Sequence, residues 1–157
     1  MEKIKLIYIL GNSYSGSTLL SYILGSSDEI LNLGELKFFN RVQHMEGIYC
    51  SCGRKVKKCK FWNRHFRKYK LYEKPTIKDI LKTFYSILFT DVNRKTKHFN
   101  DDIKFLNEIR NESNKRDLLG SSKSIWRLIY LSKNCDLDVY IIHLARDFES
   151  NLLYFIK

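Results

Sequence analysis

The sequence predicts an α/β fold, a parallel sheet flanked by helices with a helical insertion at about 36–116. Three observations predict it. "KIKLIYIL" (3–10) is a continuous apolar run closed by Gly11, as expected of a strand buried on both faces. "DLLGSS" (117–122) and "DVYIIHLA" (138–145) repeat the pattern, each running through a chemically loaded turn toward a helical stretch. The chain of 157 residues is 44% hydrophobic and 14% aromatic, enough to build one domain over 1–157 around a packed core.

In chain order, "STLLSYIL" (17–24) reads as a helix ended by a Gly25 C-cap. "EILNLGE" (29–35) is short, and "LKFFNRVQHM" (36–45) suits a helix. Residues 46–58 read as loop, carrying Cys50 and Cys52. Cys59, Trp62, Phe66 and Tyr69 fall at helical spacing and place an amphipathic helix over 59–70. Ile77, Ile80, Leu81, Phe84 and Leu88 mark another helix after Pro75, and Phe99, Ile103, Leu106 and Ile109 a third. "KSIWRLIYLSK" (123–133) is a helix with Ile125, Leu128, Ile129 and Leu131 inward. After the 138–145 strand, "RDFESNLLYFIK" (146–157) starts one more helix, and His143 is expected to pack within the strand.

The net charge of +11 concentrates in one place: Arg54 to Lys70 holds nine Lys or Arg and no acid. The apolar runs are shorter than the ~18 residues of a membrane span, so no transmembrane segment is expected. The opening "MEKIKLIYILG" lacks a small-residue cleavage site, which makes it a first strand and the chain cytoplasmic. Four cysteines without a secretory signal argue against a disulfide framework. Cys50, Cys52 and Cys59 leave three readings open: idle thiols, a redox pair, or a zinc site whose fourth ligand is not evident, with His44 and His65 nearby.

"GNSYSGSTLL" (11–20) carries the chemistry. Its Gly11-x-x-x-x-Gly16 spacing is P-loop-like, yet Ser17 stands where a nucleotide triphosphatase places Lys, and Thr18 follows. A glycine-rich loop between strand and helix presents backbone N–H groups and a positive helix end to an anion. Ser15, Ser17 and Thr18 add hydroxyl donors. Without the Lys, the loop is poorly equipped for Mg²⁺-assisted phosphoryl transfer, which disfavours a small-molecule kinase. A plain helix-capping turn is the alternative. Lys123 opens a helix, where a cation is disfavoured, so a nearby anion accounts for it better than capping does.

Taken in order, "GNSYSGSTLLSYILG", "LGEL", "CSCGRKVKKCKFW", "LLGSSKSIWRL" and "VYIIHLARD" resemble the bacterial members of the nucleotide-dependent sulfotransferase family. The resemblance implies an enzyme that moves a sulfuryl group from 3′-phosphoadenosine 5′-phosphosulfate to a hydroxyl or amine acceptor, with no metal required. It implies that the loop Asn12, Ser13, Tyr14, Ser15, Gly16, Ser17 and Thr18 holds the 5′-phosphosulfate. Glu35 would take the acceptor's proton, Lys123 would meet the leaving phosphate oxygen, and Arg146 and Tyr154 would sit at the 3′-phosphate. Tyr14 occupies a position that is often basic in the family, Gly120 one that is commonly Asp, and Tyr154 one that is usually Ser. The family continues past the late Arg-Asp motif, so the resemblance also implies an incomplete domain, inactive as a truncated chain. Its apolar Leu152, Leu153, Phe155 and Ile156 would then promote self-association.

Glu35 read by itself is also a favourable charge near the start of a helix. The basic 54–70 segment with Phe61, Trp62, Phe66 and Tyr69 suits a landing surface for an anionic acceptor. The rival function is a non-catalytic module binding nucleic acid or another polyanion through that segment, although such an aromatic stripe more often packs inward.

Overall fold

The computed structural model describes residues 3–42, 44–50, 52–71, 76–78, 81, 97–132 and 136–147. Tyr154, Cys135, residues 148–157 of the helix expected over 146–157 and most of the helix expected from Ile77 to Leu88 lie outside the described residues. The chain divides into two compact units, Met1–Leu36 with Glu108–Lys157, and Lys37–Asn107. Among the described residues, no helix is long and apolar enough to cross a membrane.

The first unit is α/β. Strands β1 (Ile4–Gly11), β2 (Ile30–Asn32), β3 (Asp117–Gly120) and β4 (Leu137–Leu144) form a sheet in the order β2-β3-β1-β4, with every pairing parallel. The continuous apolar run of β1 fits its place between two neighbours, with Ile4, Leu6, Tyr8 and Ile9 all buried. β3 is buried along its whole length. β4 lies at an edge of the described sheet, which corrects one expectation: His143 is exposed rather than packed, because outward-facing positions of an edge strand are not covered.

Helix α1 (Ser17–Gly25) follows β1. Gly25 is its last helical residue, and Ser26 beyond it is right-handed, so the glycine is not a left-handed cap. Its role is close approach: a Cβ at Gly25 would lie 2.7 Å from Cβ of Asn32. Asn32 ties the two elements together, donating to the Ser21 carbonyl at 2.8 Å and accepting from the Gly34 N–H at 2.9 Å.

The connection leaving β1 runs toward β2, whereas the one leaving its neighbour β3 runs the opposite way, toward β4. Right-handed crossovers then send the two connections to opposite faces of the sheet. This opens a crevice at the carboxyl ends of β1 and β3, where ligands of parallel sheets bind.

Within the second unit, the 36–45 helix shrinks to a 3₁₀ turn (Leu36–Phe38) and one α-turn, α2 (Phe39–Val42). A further 3₁₀ turn (Val56–Lys58) leads into α3 (Lys60–Lys68). Helix α4 (Lys97–Ser113) begins in this unit. The core here is aromatic: Phe39 meets Phe66 and Phe105 edge-on at 4.8 and 4.9 Å between centroids, and His65 is buried among Phe61, Tyr69 and Phe105.

Candidate functional site

The carboxyl edge of the first unit's sheet collects the sequence-predicted site residues that are described. After β1 the chain enters a tight turn, Ser15 N–H to Asn12 carbonyl at 3.3 Å, and climbs into α1 through two left-handed residues, Tyr14 (φ 62) and Gly16 (φ 87). Gly16 caps α1 without any side-chain hydrogen bond, and the helix has no acid in its first turn. Those first-turn N–H groups are what an anion would meet.

Asn12, Ser13, Tyr14, Gly16 and Thr18 are exposed, while Ser15 and Ser17 are buried. The hydroxyls of Ser15 and Ser17 have no hydrogen-bond partner. Across the crevice, Ser121 and Ser122 follow β3 and are buried as well. The Ser122 hydroxyl lies near the Tyr8 phenol but out of hydrogen-bond geometry, and it too has no partner. Burying a hydroxyl unsatisfied costs roughly 1–3 kcal/mol. Three such groups flanking one crevice are therefore a cost that an oxygen-rich ligand would remove.

Glu35 and Lys123 reach this edge through the β2–β3 pairing. Beyond Asn32 the ladder continues, with Leu33 N–H to the Leu119 carbonyl at 2.8 Å and Ser121 N–H to the Gly34 carbonyl at 2.9 Å. Gly34 turns the chain with φ 64 and delivers Glu35 beside the loop after β3. Lys123, itself left-handed at φ 55, places its Nζ 3.1 Å from Glu35 Oε1. The anion that explains a cation before a helix is thus Glu35. Helix α5 (Ile125–Ser132) starts two residues later than expected, so Lys123 precedes it and Ser124 caps it, its hydroxyl accepting from the Arg127 N–H at 3.3 Å.

Arg146 follows β4 and donates from Nη1 to the Tyr14 carbonyl at 3.0 Å, which clasps the loop from the far side of β1.

Two groups behind the site escaped sequence reasoning. Arg127 is fully buried, whereas Ile125, expected inward, is exposed. The signal was present as an i, i+3, i+4, i+7 stripe of Ser124, Arg127, Leu128 and Leu131, overlooked because it contains a charge. Tyr8, on β1, donates its phenol to the Ser124 carbonyl at 2.8 Å. Burial pushes that phenol up to about 12, against the opposing pull of the Arg127 guanidinium.

The comparisons with known proteins give no direct parallel: no protein-family model, no curated protein and no solved structure matches this chain.

Proposed function

We propose that the first unit is a P-loop-like sulfuryl-transfer site that takes 3′-phosphoadenosine 5′-phosphosulfate as donor. The observation that carries this reading is the set of buried, partnerless Ser15, Ser17 and Ser122 hydroxyls at the carboxyl ends of β1 and β3, next to an uncapped helix start. Such a site suits a tetrahedral oxyanion and needs no side-chain cation within the loop. The motif resemblance supplies the identity of the donor.

In the proposed step the acceptor's hydroxyl or amine attacks sulfur, and an acceptor–sulfur bond forms as the bond from sulfur to the 5′-phosphate oxygen breaks. Glu35 takes the acceptor proton. The electron pair leaves on the phosphate oxygen, where the Lys123 ammonium, now released from Glu35, stabilises it. Positioning and charge stabilisation are the main contributions such transfers require. Arg146, whose Nη1 already meets the loop at the Tyr14 carbonyl, is the residue that would hold the 3′-phosphate, as a guanidinium suits that group better than an ammonium. An anionic acceptor fits the basic 54–70 segment.

The rival reading, polyanion binding through that segment, is weakened by its rings. Phe61, Trp62, Phe66 and Tyr69 take part in ring contacts within the second unit, and Phe66 and Tyr69 are buried there, which removes those two as platforms for nucleobases. Calorimetric titration with adenosine 3′,5′-bisphosphate decides between them. Saturable 1:1 binding, weakened at least tenfold in Arg146→Ala, supports the transferase. Binding of oligonucleotides with a steep salt dependence, and none of the bisphosphate, supports the rival. Where turnover is detectable, Glu35→Gln is expected to lower it by about two to four orders of magnitude with donor affinity retained.

A further inference from the structure

The second unit gathers three thiols that the proposed transfer does not use. Cys50 and Cys52 sit on a tight turn. Cys50 N–H bonds the Arg54 carbonyl and Gly53 N–H bonds the Cys50 carbonyl, both at 2.9 Å, and Gly53 adopts φ 77. Tyr49 and Lys55 pair across it as an antiparallel bridge. The following 3₁₀ turn brings the chain to Cys59, immediately before α3, where Asn63 pins it by donating Nδ2 to the Lys57 carbonyl at 3.1 Å. Backbone hydrogen bonds therefore place all three sulfurs.

The Cys59 sulfur lies 3.8 Å from Cys52 Sγ and 3.8 Å from Cys50 Sγ, and all three sulfurs are within 4.8 Å of one another. A tetrahedral centre with Zn–S bonds of about 2.3 Å sets neighbouring ligand sulfurs about 3.8 Å apart. The equal distances matter as much as their size, since a poised disulfide would single out one pair. Cys59 is buried, Cys50 half-buried and Cys52 exposed, so the cluster opens to solvent on one side. The sequence around the cluster is basic, with Arg54, Lys55, Lys57, Lys58 and Lys60 and no acid up to Lys70. Three thiolates on a divalent cation carry a net charge of −1, which such surroundings stabilise.

We propose that Cys50, Cys52 and Cys59 form a three-thiolate site for a zinc-class divalent cation, with water in the fourth, solvent-facing position. Soft thiolates select such a cation over magnesium or calcium. Among the described residues no further His, Cys, Asp or Glu joins the cluster, so the fourth ligand is taken from solvent. The site closes the 48–59 turn onto α3 and is separate from the sulfuryl-transfer proposal.

The test uses the full chain, reduced and freed of metal. Titration with Co(II) is expected to give one equivalent of binding with thiolate-to-cobalt charge-transfer absorption, displaced by one equivalent of Zn(II). Cys50→Ser, Cys52→Ser and Cys59→Ser should each lower that absorption by about a third and the affinity at least tenfold, whereas Cys135→Ser should leave both unchanged. On the unaltered chain, Zn(II) should slow alkylation of these three cysteines at least tenfold, as read by mass spectrometry. Cobalt binding without charge-transfer absorption, or alkylation at the metal-free rate with Zn(II) present, would overturn the proposal.

Discussion

Tyr8 shows how one side chain links core, site and pH response. Its phenol is almost completely buried, and burial holds it up to about 12, roughly two units above the exposed value. Between pH ~10 and ~12 the unfolded chain releases this proton while the folded chain keeps it, so stability present below pH ~10 falls as pH rises. The loss at this position is on the order of 2–3 kcal/mol. Tyr8→Phe is expected to cost about 0.5–1.5 kcal/mol at neutral pH, because the Ser124 carbonyl keeps its bond from the Leu128 N–H. Above pH ~10 the variant should lose less stability than the parent, and urea unfolding at a series of pH values measures the difference. Gly16 presents a conformational rather than a steric constraint. With φ 87, an added Cβ at Gly16 meets no atom within 4 Å. A β-branched residue in the left-handed region costs roughly 1–3 kcal/mol. The expected outcome for Gly16→Val is a folded, less stable chain that no longer binds adenosine 3′,5′-bisphosphate, checked by circular dichroism beside calorimetry.

At the scale of elements, the loop after β1 buries two hydroxyls that lack partners, Ser15 and Ser17, and the loop after β3 buries one, Ser122, so the two loops would act as jaws of the proposed site. Removing one should separate stability from binding. Ser17→Ala and Ser122→Ala are expected to leave thermal stability unchanged or raised by up to about 1 kcal/mol, since each deletes an unsatisfied group. Each should weaken bisphosphate binding about tenfold. A loss of stability with binding intact would mean that the hydroxyls serve the fold alone. The jaws were legible in the sequence, because β1, β3 and β4 are apolar runs ending in Gly, Ser and Arg. What was not legible has physical causes. β2 spans only Ile30–Asn32, too short to show a period of two. Gly25 reads as a cap by composition, yet its need for Asn32 at close range is a tertiary fact. The Glu35–Lys123 pair joins residues 88 positions apart and depends on β2 pairing with β3, which no local pattern encodes. Arg127 was misjudged because burying a guanidinium is costly without partners, and a sequence does not display those partners.

For the whole molecule, the register of β1 has a consequence in time. Among the described residues, Ile4–Gly11 pairs only with Asp117–Gly120 and Leu137–Leu144. A ribosome adding about 5–20 residues per second makes the central strand many seconds before either neighbour exists. During that interval Ile4, Leu6, Tyr8 and Ile9 form an apolar, strand-prone segment with no sheet to join. Glu2, Lys3 and Lys5 stand near enough to discourage its pairing with other chains, as flanking charges do. Closing loops of more than a hundred residues also makes the sheet a late event in refolding from denaturant. Pulse-labelled hydrogen exchange during refolding should therefore show the Leu6–Leu10 amides gaining protection together with those of β3 and β4, after the α4 helix has formed. Early protection of β1 alone would mean that it finds a non-native partner first. The strand that carries the loop at its end is, on this account, made before its two neighbours and secured only with them, so the proposed anion site cannot form until nearly all of the described chain is synthesised.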